Sequence, residues 1–281
     1  MISIELLALV GALVVSTTMG LAAVSVACVG RARLRAIRGQ PTWLRDRLRA
    51  VAPYVAVLAA VLVVNKGLQS RIERFSHAYG VEATATLHAI EGDLVVTLQG
   101  LLPGVTTPYF VAAYVVGYAV LLVAPLVVYA FAERARPLAT LVTAYAVNYA
   151  VAVVCYATVV AYGPRNADRA SDGSSADALL LELVPEITTL TALVNTNTNV
   201  FPSLHASLSV TVLLVAAITR VEFRRWFHVA SVLAASVVAS TVALGIHWLT
   251  DVVAGVLLAA VAVAVARYVV WARYPDEGEW S

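Results

Sequence analysis

The chain has 281 residues, 61% of them hydrophobic and 13% charged, with a mean hydropathy of +0.85 and a formal charge of +2. A soluble domain carries about 25% charged and 45–50% apolar residues, so the composition excludes an ordinary water-soluble globule. Apolar runs rich in Ala, Val and Leu recur along the chain, and ~20 such residues cross a hydrocarbon core. The expected fold class is all-α, a polytopic membrane helix bundle.

The first run, MISIELLALVGALVVSTTMGLAAVSVACVG, has no basic start and no compact apolar core ahead of a small-residue cleavage site. It reads as a retained span and not a cleaved signal peptide. Further spans are expected at residues 51–66, 107–131, 137–162, 203–219, 227–247 and 250–271, after the first at 2–29. Loop 30–50 carries seven Arg and one Asp, which assigns it to the cytoplasm by the positive-inside rule. The ERARP, RVEFRRW and C-terminal segments fall on the same side. Together these collect fourteen of the nineteen Lys and Arg residues; the other side holds Lys66, Arg71, Arg74, Arg165 and Arg169. The N-terminus is therefore expected outside the cell membrane and the C-terminus in the cytoplasm.

Three parts follow from this order: an N-terminal span with its basic loop (1–50), a membrane-embedded domain (51–272) and a cytoplasmic tail (273–281). Residues 67–106 mix polar and apolar positions, and interfacial helices are expected there, broken near Gly80, Gly92 and Pro103. Segment 163–202 opens with GPRNADRASDGSSAD, and its run ADALLLELVPEITTL is too short and polar to span, so it also reads as interfacial. Cys28 and Cys155 lie in apolar runs without metal-ligand spacing and read as small buried hydrophobes. His77 and His88 read as surface or packing residues, and His228 falls on the cytoplasmic side.

Ionisable groups at membrane depth are expensive and mark function. Three clusters reach the outer side: AYGPRN with Arg165, FPSLHAS with Ser203 and His205, and STVALGIHWLTDVVAG with His247 and Asp251. If residues 247–251 are helical, His247 and Asp251 stand at i and i+4 on one face. A carboxylate on one ring nitrogen fixes the tautomer and frees the other nitrogen as nucleophile or base. Pro202 suits a first helical position, after which the helix amides form an anion site and Ser203 adds a hydroxyl. Arg165 supplies a fixed positive charge suited to phosphate.

PSLHA followed by HWLTDVVAG resembles the type 2 phosphatidic acid phosphatase superfamily, which also includes vanadium haloperoxidases. It is particularly similar to the branch related to inositol phosphorylceramide synthases, where Pro-Ser-Leu-His replaces Pro-Ser-Gly-His. The resemblance covers roughly residues 110–272 and implies a six-helix phosphatase core, to which the first span is an addition, giving about seven transmembrane helices. It implies that His247 attacks phosphorus to form a phosphohistidine, that Asp251 orients His247, and that His205 protonates the leaving oxygen. Ser203 and Arg165 would hold the phosphoryl oxygens. No metal and no cofactor are implied.

The chain departs from the superfamily pattern at two cations. No Lys precedes Pro164-Arg165 nearby, and Ser240 is followed by Thr241 where a phosphate-binding Arg usually stands. Lys66, the chain's single lysine, is a candidate replacement for the phosphate site. The function expected is an integral membrane lipid phosphate phosphatase acting on a phosphatidic-acid-like or polyprenyl (di)phosphate lipid at the outer face. The alternatives are transfer of a phospho-headgroup to an alcohol, a vanadium haloperoxidase, and a non-catalytic lipid-phosphate-binding protein or transporter. The partners are then the membrane and its lipid phosphate, with no nucleic acid. A shared site also requires the side chains of His205 and His247 to lie on the order of 4–8 Å apart.

Overall fold

A computed structural model describes residues 4–30, 33, 42–169, 176–177, 198 and 200–273. Among these the fold is an all-α polytopic bundle. Its helices are α1 (Ile4–Val29), α2 (Trp43–Tyr79), α3 (Thr84–Glu91) and α4 (Leu94–Leu101). There follow α5 (Gly104–Ala130), α6 (Arg136–Thr158), α7 (Leu204–Ile218), α8 (Arg224–Ala243) and α9 (Leu249–Arg273). Six of them are long and apolar enough to cross a membrane: α1, α2, α5, α6, α8 and α9. The remaining expected span, the fifth at 203–219, is α7, which has only 15 residues and rises about 22 Å, short of the ~30 Å hydrocarbon thickness. It is the central helix, packed against α5, α6, α8 and α9, so a short central element is roofed by longer neighbours.

The expected second span and the start of the interfacial segment are one helix. α2 runs to Tyr79 because nothing between Lys66 and Gly80 breaks it; Gly67 alone is tolerated within a helix. At Gly80 the chain turns, and the expected breaks at Gly92 and Pro103 also occur, bounding α3 and α4. Val81–Glu82 (β1) pairs in parallel with Val159–Val160 (β2), tying the end of α2 to the end of α6. The interfacial helix expected in ADALLLELVPEITTL lies, apart from Ala176 and Asp177, outside the described residues, as does the tail beyond Arg273.

One end of the bundle gathers arginines. Arg47 donates to the carbonyls of Ala132 and Glu133 at 2.5 and 3.3 Å, and Arg33 pairs with Glu222 and Glu133 at 2.7 and 3.3 Å. Just inside this end, Trp226 donates to the Tyr129 hydroxyl at 3.1 Å, which also bonds Thr219 at 3.0 Å. These buried aromatics anchor a core of α5, α6, α7, α8 and α9 side chains. The opposite end carries the three polar clusters.

Candidate active site

The site is assembled where two turns and one helix start meet. Arg165 lies in a short 3₁₀ segment, Pro164–Arg169, after α6. Its backbone N–H donates to the Gly245 carbonyl at 3.0 Å, in the turn between α8 and α9. Gly245 has φ +64°, and a side chain there would also press on Asp177 and Gln99, so this turn needs glycine. A Cβ on Gly163 would overlap the Ile246 carbonyl, which brings the first cluster directly onto the third.

The second cluster joins through α9. The Ser203 N–H donates to the Asp251 carbonyl at 3.1 Å. A Cβ on Gly255, one turn later, would stand 2.5 Å from the Ser203 carbonyl. Only glycine lets α7 begin this close to α9. Ser203, and not Pro202, marks the helix boundary: its hydroxyl accepts the Ala206 N–H at 3.2 Å as an N-cap, so Pro202 precedes the cap. Its own proton remains available to donate.

His247 is not helical, because α9 starts at Leu249; its N–H bonds the Thr241 carbonyl at 3.1 Å. The two side chains nevertheless approach each other, without a hydrogen bond to Nδ1. His247 Nδ1 stands 3.5 Å from Asp251 Oδ2, and the same oxygen accepts the Trp248 N–H at 2.9 Å. His247 Nε2 faces His205 Nδ1 at 3.4 Å, closer than the expected 4–8 Å, while the ring centroids stand 5.6 Å apart. His247 is 4% exposed and Asp251 fully buried. Burial first, then the Arg165 charge, lower the His247 pKa to about 3, against the Val200 carbonyl, so the ring is neutral at physiological pH. Burial likewise lowers the Arg165 pKa, opposed by Tyr114, and a guanidinium stays charged regardless. The Arg165 charge acts on both imidazoles, and its buried Nη1 has no hydrogen-bond partner among the described residues.

Lys66 is exposed on α2, where it donates to Gln69 at 2.9 Å. His88 packs edge-on against Trp248 at 5.9 Å, a packing role as expected. No group of three or more His, Cys, Asp or Glu able to hold a metal occurs among the described residues.

Residues that sequence reasoning passed over surround the site. Tyr114 and Tyr118 flank His205, with centroids 4.8 and 4.7 Å from its ring. They are brought there by a π-helical turn at Ala113–Gly117, a distortion often found at functional sites. Buried Asn148 on α6 donates to Thr211 at 3.0 Å and accepts a short hydrogen bond from Ser207, one turn below the cap. Asn148 had a sequence signal, an amide in mid-span; the tyrosines had none, since aromatic residues in a span ordinarily pack. Glu91 accepts the N–H groups of Leu249, at 2.9 Å, and Thr250 at the start of α9.

Helices long and apolar enough to cross a membrane thus bring two imidazoles, a carboxylate and a buried arginine together at one end of the bundle. A family model described as the PAP2 superfamily matches residues 85–265, more than half of the chain, and the chain belongs to that superfamily. Its chemistry is accordingly of the phosphatase type, on phosphoesters. No curated protein and no solved structure matches the chain.

Proposed function

We propose that this protein is a lipid phosphate phosphatase that works through a phosphohistidine on His247. The observation that carries the reading is the single file His205–His247–Asp251, with gaps of 3.4 and 3.5 Å, beside Arg165, whose buried Nη1 has no hydrogen-bond partner among the described residues. With Nδ1 protonated toward Asp251, His247 presents its Nε2 lone pair to phosphorus. Asp251 stabilises the imidazolium that forms on attack. His205 gives a proton to the departing alcohol and then takes one from water, which cleaves the phosphorus–nitrogen bond and releases phosphate. Arg165, the Ser203 hydroxyl and the first amides of α7 stabilise charge developing on the non-bridging oxygens. The arginine-rich opposite end supports a cytoplasmic placement for that end, with the site facing outside.

Transfer of a phospho-headgroup to an alcohol, as in the inositol phosphorylceramide synthase-like branch, is favoured by one specific observation. Among the described residues Arg165 is the cation acting on the histidines, while Asp251 and Glu91 lie close by. One cation suits a phosphodiester monoanion better than a phosphomonoester dianion.

Phosphate release and headgroup transfer from a panel of lipid phosphates and phosphodiesters test both readings. His247→Ala and His205→Ala are expected to lower turnover by at least ~10³-fold and about 10²–10⁴-fold respectively. Only wild type and His205→Ala should carry an acid-labile phosphoryl label. Equal behaviour of wild type and both variants on every lipid, with and without acceptor alcohols, would leave a non-catalytic lipid-phosphate-binding protein.

A further inference from the structure

We propose that Glu91 is a positioning residue for the histidine centre, its carboxylate clamping the first turn of α9 so that His247 and Asp251 hold their register against α7. The inference rests on the phosphohistidine reading above.

The first amides of a helix have no acceptor within it, and the positive end of the helix dipole favours an anion there. In α9 these amides are taken by two carboxylates. Asp251 accepts the Trp248 N–H at 2.9 Å, and Glu91 accepts those of Leu249, at 2.9 Å, and Thr250. Asp251 belongs to α9 itself, whereas Glu91 arrives from the last turn of α3, 158 residues earlier in the chain.

The clamp has a firm base. Thr84, at the start of α3, accepts the Tyr162 N–H at 3.0 Å, and the Tyr162 carbonyl accepts Trp248 Nε1 at 2.9 Å. Leu87 is buried in the same small cluster as Trp248, and His88 meets that indole edge-on. The Gly92 N–H closes α3 on the His88 carbonyl at 2.7 Å. Glu91 is therefore the tip of a fixed element reaching across the site.

What it fixes matters because His247 stands in a turn outside α9. The approach of Nδ1 to Asp251 depends on how that helix begins. Through the Asp251 carbonyl the same turn holds the Ser203 N–H at 3.1 Å, so the start of α7 follows it. A second consequence concerns the substrate. With its first amides occupied, α9 offers no anion seat, and the phosphoryl group is left to Arg165, Ser203 and the start of α7.

The test compares purified wild type with Glu91→Gln and Glu91→Ala. It measures steady-state turnover on the panel lipids, binding of inorganic vanadate as a phosphoryl mimic, and thermal midpoint. The expected result is a kcat lowered about tenfold or more in Glu91→Ala, since small misplacements of reacting groups are costly. KM should stay within about twofold, whereas vanadate, a phosphoryl mimic that meets His247 and the start of α7, should bind less tightly in step with the lost kcat. Glu91→Gln keeps the reach and one acceptor oxygen, and should recover part of the lost kcat. If Glu91→Ala does not fold, Glu91→Gln decides alone: a kcat about equal to wild type overturns the proposal. A lowered thermal midpoint with unchanged kcat also overturns it, leaving a purely structural cap. A wild type that neither turns over any lipid nor binds vanadate overturns the parent reading and this inference together. An active wild type matched by both variants overturns this inference alone.

Discussion

The gap between His205 Nδ1 and His247 Nε2 is 3.4 Å, too narrow for a phosphorus in line between them. Adding one hydrogen bond to two bonds at phosphorus requires roughly 5–6 Å between the nitrogens. On the proposed reading, substrate entry parts the rings, and His205 is the one to swing, since the His247 backbone is held by the Thr241 carbonyl. Tyr114 and Tyr118 limit that swing by flanking the His205 ring on α5. Each aromatic contact of this kind is worth about 0.5–1.5 kcal/mol. Tyr118→Phe should leave kcat near wild type, whereas Tyr114→Leu with Tyr118→Leu should lower it about tenfold by releasing the ring. Vanadate bound to the double variant would report the loss as weaker inhibition; unchanged inhibition and turnover would show the tyrosines to be packing alone.

At the scale of elements, the site depends on how closely α7 and α9 approach. Gly255 is the point of contact, and an added methyl would meet the Ser203 carbonyl at 2.5 Å and the Ala206 Cβ at 3.2 Å. Overpacking of this kind costs about 1–3 kcal/mol. Gly255→Ala is thus expected to lower the thermal midpoint in detergent and to reduce turnover more than Gly11→Ala, where nothing lies within 4 Å of the added atom. Equal effects would show that the approach is not needed. The buried Asn148–Ser207–Thr211 network supports the same helix from the α6 side. Satisfied polar groups in a buried helix interface fix one packing arrangement, because an unpaired member costs about 1–3 kcal/mol.

At the scale of the whole molecule, the two ends differ in chemistry. One gathers Arg33, Arg47, Glu133 and Glu222 into ion pairs and backbone caps. The other closes over the histidines with α3 and α4, whose exposed Ile90 and Leu101 suit contact with lipid at the interface. Orientation is testable in intact cells after Cys28→Ala and Cys155→Ala. A membrane-impermeant thiol reagent should label Ile90→Cys and spare Arg220→Cys; the reverse pattern would place the site in the cytoplasm.

Much of this arrangement was legible in the chain. Apolar run length and composition determined the helical class and the approximate spans, because a backbone in hydrocarbon must bond internally. The motifs PSLHA and HWLTDVVAG determined which histidines and which aspartate meet, since each carries its spacing with it. The continuation of α2 to Tyr79 was not legible, because polar residues after Lys66 look the same in an interfacial helix and in a long tilted one. Nor was the turn at His247, where the approach to Asp251 survives without helix. The tertiary structure alone decided the partners of Arg165, the tyrosines about His205, and the reach of Glu91 to α9. These are contacts between segments far apart in sequence, set by side-chain packing and by amides left open at a helix start, and no local pattern of residues encodes them.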